Sequence, residues 1–223
     1  YQNHLEEMVA SQVAEMTRMQ DEVITGIANL IESRDGSTGL HVKNTQNYVQ
    51  ILTKALREKG MYPDILDHNY ELNTVKASVL HDIGKIKTPD AILLKPGRLT
   101  DEEFEVMKQH TVAGCEIIDR IIGNVEHEEY VDIARKIARY HHERWDGTGY
   151  PDGLSGEEIP LCARIMALAD VFDALYQDRC YKKAIRPASK VFEIIKENSG
   201  SQFDPNLTEI FLELQREITD ISE

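Results

Sequence analysis

Helix signals recur along almost the whole chain, and no stretch shows the alternation of apolar and polar residues that is typical of strands. Segments with helical periodicity cover 41–59, 71–82, 101–122, 130–140, 161–176, 187–198 and 206–217. Thr100 followed by Glu103 is a capping box, and Pro187 stands near a helix start. Two loops rich in Gly and Pro, 89–98 and 143–160, interrupt the helices. The sequence therefore predicts an all-α fold.

A heptad repeat can be placed on residues 5–30, which would form an extended N-terminal helix. Its first column is apolar and comprises Val9, Met16, Val23 and Leu30. Its second column is weaker and comprises Leu5, Gln12, Met19 and Gly26. The pattern fits either an amphipathic helix packed on its own domain or a two-stranded coiled coil that pairs two copies of the chain. We expect residues 1–30 to be a signalling or linker helix, residues 31–223 to be one domain, and a receiver or sensor domain to precede residue 1.

Composition excludes several classes of protein. The formal net charge of −14 leaves no basic stripe for nucleic acid, so we expect no DNA or RNA binding. A small phosphate substrate is still compatible with this charge if metal ions bind it directly. The three cysteines, Cys115, Cys162 and Cys180, form no CxxC pair, which argues against disulfides and thiolate zinc sites. With no apolar run of about 18 residues and no signal peptide pattern, we expect a cytoplasmic location.

Two stretches place side chains that bind metals on consecutive residues. They are His81–Asp82 in LHDIGKI and His141–His142 in YHHERWDGTGYP. On a helix, neighbouring residues diverge by about 100°, so each pair could serve two neighbouring ions rather than one. Two ions about 3.5–4 Å apart activate water and neutralise phosphate, which is the chemistry of phosphoesterases. Each such residue taken alone is more often a core, surface or capping residue; the combination favours a dinuclear site.

The candidate ligands are imidazoles and carboxylates from distant parts of the chain: His41, His81, Asp82, His110, His141, His142 and Asp170. The carboxylate of Asp82 offers two oxygens and could bridge two ions. Lys85, one turn further on, could meet a phosphate oxygen or stabilise the charge that develops there. The remaining histidines, His4, His68 and His127, are expected to be solvated.

The loop WDGTGYPDGLSGEEIP follows the histidine pair directly. Its glycines and prolines suit tight turns that bring backbone near a ligand, although a plain surface loop has the same composition. Tyr150 could stack on a nucleobase. Arg179 and Lys182 could clamp a phosphate, or simply form a solvated face.

Four ordered motifs carry a family resemblance: HDIGK at 81–85, KQHTVAG at 108–114, HHERWDGTGYP at 141–151 and ADVFDAL at 169–175. Together they resemble the HD-GYP family of bacterial cyclic di-GMP phosphodiesterases, which are metal-dependent phosphohydrolases of the HD-domain superfamily. The resemblance covers about residues 31–211 and includes the late segment GSQFDPNL. It implies an HD-domain helical bundle that acts as the output domain of a bacterial signalling protein, with a GGDEF-type protein as a partner.

The resemblance also implies the chemistry. The activity would be hydrolysis of cyclic di-GMP to the linear dinucleotide, and in some members on to GMP, with iron or manganese. The seven candidate ligands above would hold the ions. Lys85, Arg179 and Lys182 would contact phosphate, and Tyr150 would lie near the substrate. Asp173 would either support a ligand or face the substrate.

Two positions depart from the family pattern. Members with a third metal carry Glu four residues before the histidine that corresponds to His41, where this chain has Ser37, so we expect two ions. Many members carry Arg three residues after that histidine, where this chain has Asn44. Two alternatives to an active cyclic di-GMP phosphodiesterase stay open: a module that binds cyclic di-GMP or a protein without turnover, and a phosphohydrolase of another cyclic nucleotide or an alarmone.

Overall fold

The computed structural model describes residues 2–35, 40–123, 128–177 and 184–222. The helices within these ranges are α1 (Gln2–Glu32), α2 (His41–Glu58), α3 (His68–Ala77), α4 (Asp90–Leu93), α5 (Asp101–Ile122), α6 (Glu128–Tyr140), α7 (Leu161–Tyr176), α8 (Ala188–Glu197), α9 (Pro205–Glu213) and α10 (Gln215–Ser222). Short 3₁₀ turns occur at Ser33–Asp35, Ser78–Leu80, Ile83–Lys87 and Gly156–Glu158. Within the described ranges the only β pairing is one bridge between Ser199 and Phe203. The all-α prediction is confirmed.

Helix α7 lies at the centre of the bundle. It is apolar on nearly all sides, which is typical of a helix surrounded by others. Phe172 on α7 is fully buried, with its ring centroid 5.1 Å from that of Tyr48 on α2 and 5.6 Å from that of Phe211 on α9. Aromatic pairs at such distances add stability beyond the area that they bury. Helix α7 thus has a rigid setting, and the two carboxylates that it carries, Asp170 and Asp173, share that setting.

The 3₁₀ turn Ile83–Lys87 packs directly on α5, and Gly84 makes this possible. A Cβ added to Gly84 would lie 1.8 Å from the carbonyl oxygen of His110 and 2.5 Å from the amide nitrogen of Gly114. Any larger residue would force the two segments apart. The contact sets Asp82 beside His110.

The structure corrects two of the predicted helices. The helix predicted over 71–82 ends at Ala77 and continues as a 3₁₀ turn, so His81 and Asp82 lie between two such turns. The helix predicted over 206–217 is broken at Leu214, which separates α9 from α10. His141 and His142 likewise follow the end of α6 at Tyr140. Both adjacent ligand pairs therefore lie beyond the ends of α-helices, not within them.

Helix α1 has a free half and an anchored half. Its last turns pack on the domain through Ile24, Ala28 and Ile31, whereas most of its N-terminal side chains are exposed. The division between residues 30 and 31 stays a prediction, and α1 is continuous across it. No described helix combines the length and the apolar character that a bilayer span needs.

Candidate active site

The structure brings the seven predicted ligands into one cluster. His41 begins α2, His81 and Asp82 join the 3₁₀ turns, His110 lies on α5, His141 and His142 follow α6, and Asp170 lies on α7. Two sets of donor atoms each fall within 4.8 Å of one another: Asp82, His110, His141 and His142 in one set, and Glu32, His41, His81 and Asp82 in the other. Asp170 lies beside the second set, with its Oδ1 3.4 Å from Nε2 of His41. The cluster can hold metal.

Asp82 belongs to both sets. Its Oδ1 lies 3.3 Å from Nε2 of His110 and 3.6 Å from Nε2 of His141. Its other oxygen, Oδ2, lies 3.3 Å from Nε2 of His81. One oxygen of the Asp82 carboxylate thus faces two imidazoles and the other faces a third, which is the arrangement required of a bridging ligand.

Four histidines are oriented through the ring nitrogen that points away from the cluster. The Nδ1 atoms of three of them lie 2.7–2.9 Å from backbone carbonyl oxygens, in the pairs His81–Ser78, His110–Met107 and His141–Ile137. Nδ1 of His41 lies 2.7 Å from Oδ2 of Asp173. Because a carbonyl or carboxylate oxygen only accepts, each Nδ1 carries the hydrogen and donates. Nε2 is then the ring nitrogen that each of these histidines turns towards the cluster, as in metal-binding histidines.

This arrangement fits metal ions and is poorly explained without them. Nε2 of His110, Nε2 of His141 and Oδ1 of Asp82 are buried and have no hydrogen-bond partner. Nε2 of His41 and Nε2 of His81 face each other at 3.3 Å. Two nitrogen lone pairs at this distance repel each other unless a proton or a metal ion lies between them. Two ligands bound about 2.1 Å from one ion would themselves be about 3 Å apart, close to the observed spacing.

Burial and neighbouring charges control protonation in the cluster. Burial raises the pKa of Asp82, but the charges of Lys85 and His81 outweigh it and hold that pKa well below its ordinary value. Burial lowers the pKa of His81, but the charge of Asp82, the hydrogen bond to it and the charges of Asp170 and Glu32 together outweigh burial and raise the pKa to about 9. Burial lowers the pKa of His110 to about 4 and also lowers that of His142. His110 and His142 are therefore neutral at neutral pH, the state in which imidazole binds metals.

Glu32 is a site residue that the sequence did not predict. It lies at the end of α1, is 2% exposed, and its Oε1 accepts a hydrogen bond from Nζ of Lys85 at 3.0 Å. The same ammonium lies 2.7 Å from Oδ2 of Asp82. Lys85 is thus held between two carboxylates at the edge of the cluster. No motif reveals Glu32, because an acidic residue at a helix end is usually solvated.

Asp173 lies behind His41 and is almost completely buried, at 1% exposure. Its Oδ2 holds Nδ1 of His41, and its Oδ1 accepts a hydrogen bond from Nδ2 of Asn44 at 3.2 Å. Of the two predicted roles, this placement favours support of a ligand over contact with substrate. Asn44, one of the two departures from the family pattern, takes part in that support.

The loop after the histidine pair is organised by Glu143. This carboxylate is 3% exposed and accepts backbone N–H bonds from Asp152, Gly153 and Leu154 at 2.8–3.1 Å. The loop therefore folds back on the end of α6. Tyr150 lies against the histidines, with its ring centroid 4.9 Å from that of His142. Burial raises the pKa of Tyr150, so its hydroxyl stays protonated.

Three predicted positions cannot be placed. Arg179 and Lys182, the candidate phosphate clamp, and Ser37 lie outside the described residues.

Comparison with known proteins decides the family. A family model described as "HD domain" matches residues 4–207. The chain belongs to the HD-domain family. Two solved structures share its fold. One is an HDG"Y"P protein of Bdellovibrio bacteriovorus, with a TM-score of 0.57 and 17% identity over 90% of this chain and 63% of that chain. The other is a cyclic GMP-AMP specific phosphodiesterase of Vibrio cholerae, with a TM-score of 0.59 and 19% identity over 89% of this chain and 52% of that chain.

Curated relatives of this HD-domain chain are named phosphodiesterases. A probable cyclic di-GMP phosphodiesterase of Vibrio cholerae is 42% identical over 99% of this chain and 50% of its own length. A cyclic di-GMP phosphodiesterase of Thermotoga maritima is 42% identical over 90% of this chain and 50% of its own length. A 3'3'-cGAMP-specific phosphodiesterase of Vibrio cholerae is 35% identical over 90% of this chain and 36% of its own length. The chain spans about half the length of the first of these relatives, and the HD-GYP resemblance is confirmed.

Proposed function

We propose that this domain is a metal-dependent phosphodiesterase that hydrolyses cyclic di-GMP to the linear dinucleotide, and on to GMP if the product rebinds. The observation that supports this proposal most strongly is the geometry of Asp82, because each of its two carboxylate oxygens faces an imidazole nitrogen in a buried cluster. The names of the relatives support cyclic di-GMP as the substrate class.

Two divalent ions, iron or manganese, would supply an activated water and neutralise the phosphate. Imidazole and carboxylate donors suit these metals, although they do not select one ion by affinity alone. His41, His81, Asp82, His110, His141, His142 and Asp170 would be the protein ligands. Glu32 supplies a further carboxylate on the side of His41 and His81.

The chain's own groups would bind and orient the substrate. The Lys85 ammonium, held by Asp82 and Glu32, places a positive charge where a phosphate oxygen would enter. Arg179 and Lys182 would contact phosphate, and Tyr150 would lie near the substrate, beside His142. Asp173 would keep Nε2 of His41 directed at the ions.

Asp82→Ala tests this function against its alternatives. The substitution removes the carboxylate that would serve both ions, so cyclic di-GMP hydrolysis by the manganese- or iron-loaded protein should fall below detection by chromatography. Lys87→Ala is a matched control, because Lys87 follows the same motif but forms an exposed ion pair with Glu116. A wild-type chain that binds cyclic di-GMP without cleaving it would favour a binding module. A wild-type chain that cleaves only another nucleotide would favour a different phosphohydrolase.

Pairing of two chains through α1 is part of the proposal. Its first heptad column is exposed: Val9, Met16, Val23 and Leu30. A second column made of Val13, Gln20 and Ile27, which are also exposed, gives a more apolar heptad repeat with the first column than the column that contains Gly26 does. The charged residues between 9 and 30 all lie outside these two columns and the positions that flank them; they are Glu15, Arg18, Asp21 and Glu22. Two copies of the helix would therefore meet without like-charge repulsion.

Sedimentation tests the pairing. Met16→Glu puts a charge on the seam and should leave the chain monomeric where the wild type is a dimer, whereas Ser11→Glu, exposed on the outer face, should not. A wild type that is monomeric up to about 100 µM, well above the dissociation constant expected of a specific dimer, would contradict it. A preceding receiver or sensor domain, a GGDEF-type partner and a cytoplasmic location also belong to the proposal; the cysteine usage supports the location.

A further inference from the structure

A cavity of about 270 Å³ adjoins the ligand pair His141–His142. Pockets for whole drug-sized ligands are about 300–1,000 Å³, so this cavity suits one part of a cyclic dinucleotide rather than all of it. It is bounded by α5, α7, the loop that contains Tyr150, and the segment GSQFDPNL. That segment has no role in the function proposed so far.

One wall of the cavity is aromatic. Phe104 on α5 is 44% exposed, and its ring centroid lies 5.9 Å from that of Tyr150 in an edge-to-face arrangement. Nζ of Lys108 lies 5.5 Å and 5.8 Å from the centroids of the two rings. An exposed aromatic face beside a phosphodiester site is suited to stack a nucleobase, and such stacking is worth about 1–3 kcal/mol per base.

Two polar residues, Arg144 and Gln202, also line the cavity. Arg144 is oriented by the loop, because its Nε donates to Oγ1 of Thr148 at 3.1 Å. Gln202 is fixed through its backbone, whose carbonyl accepts from the amide of Trp145 at 3.2 Å. Both side chains therefore come from backbone that hydrogen bonds hold in place, as selective recognition requires.

We propose that this cavity binds one nucleobase of the substrate and selects guanine over adenine. This inference rests on the proposed function. Arg144 would donate to O6 and N7 of guanine, the edge for which arginine has matching geometry. Adenine presents an amino group in place of O6, and that group would face the guanidinium donors unfavourably. Gln202 would hydrogen-bond the base edge, and Phe104 would stack on its face.

The test compares equilibrium binding of cyclic di-GMP and cyclic di-AMP to the metal-loaded chain. The two nucleotides share phosphates and sugars, so the ratio of their dissociation constants reports on the base alone. We expect the wild type to prefer cyclic di-GMP and Arg144→Gln to reduce that preference about 10-fold, within the 1–3 kcal/mol of one bidentate contact. Phe104→Leu should weaken the binding of both nucleotides about 10-fold and leave the ratio of their dissociation constants unchanged.

Arg139→Gln is the matched control, because Arg139 also lies near the histidine pair but forms an ion pair with Asp152 outside the cavity. It should leave the ratio unchanged. Equal binding of both nucleotides by the wild type, or a ratio that Arg144→Gln does not alter, would overturn the inference. Turnover is measured separately: a chain that shows the preference but cleaves no cyclic dinucleotide would refute the proposed function and leave base recognition standing.

Discussion

The contact between Gly84 and α5 allows a sharp test of how the fold positions the site. In Gly84→Ala the new methyl would begin 1.8 Å from the carbonyl oxygen of His110, which is backbone and cannot rotate away. Relief to an ordinary contact requires the 3₁₀ turn and α5 to separate by about 1 Å or more. Asp82 and His110 lie on opposite sides of this contact, with Oδ1 and Nε2 now 3.3 Å apart. The separation would exceed what two bonds of about 2.1 Å can easily span.

A misplacement of about 1 Å commonly costs about 100-fold in rate. We therefore expect Gly84→Ala to lose metal occupancy and about 100-fold in turnover while retaining its helical circular dichroism. Gly26→Ala is the control, because nothing lies within 4 Å of a Cβ at Gly26. The assay is metal content by mass spectrometry together with chromatography of cyclic di-GMP digests. Full metal occupancy and normal turnover in Gly84→Ala would show that the packing at Gly84 does not set the ligand geometry.

Two further substitutions test the supports of the site. Asp173→Asn should lower metal affinity about 10–100-fold, because the neutral amide orients His41 less strongly than a carboxylate does; unchanged affinity in a chelator competition would refute this role. Asp204→Ala should lower the free energy of unfolding, measured in urea, by about 3–5 kcal/mol, because it leaves the buried guanidinium of Arg164 without its carboxylate partner. In the wild type, Nη1 of Arg164 lies 2.5 Å from Oδ2 of Asp204. Asp152→Ala, which breaks an exposed pair, should cost at most about 1 kcal/mol; equal losses in both variants would contradict the distinction.

The helical fold could be predicted from the sequence because local patterns determine most of it. Thr100 and Glu103 form the predicted capping box, and α5 and α7 have the predicted bounds. The ends of α3 and α9 could not be predicted. The 3₁₀ turn that follows Ala77 ends four residues before Gly84, whose tight contact with α5 is tertiary, and sequence periodicity carries no information on such a contact.

The candidate site could be predicted as a set of residues but not as a geometry. The motifs identify seven candidate ligands of two types, imidazole and carboxylate, and the structure brings these seven side chains close together. Glu32 was missed because it reaches the cluster only through the packing of α1 on the domain. The hydrogen bonds that orient the imidazoles were also hidden, since three of their acceptors are backbone carbonyls, which any residue type provides.

The most direct test of the central claim is the number of metal ions per chain, measured on the same sample whose hydrolysis of cyclic di-GMP is followed by chromatography. With increasing manganese or iron, activity should rise in step with occupancy and saturate at two ions per chain. Full activity with fewer than two ions, or with the metals removed, would contradict a centre that Asp82 bridges.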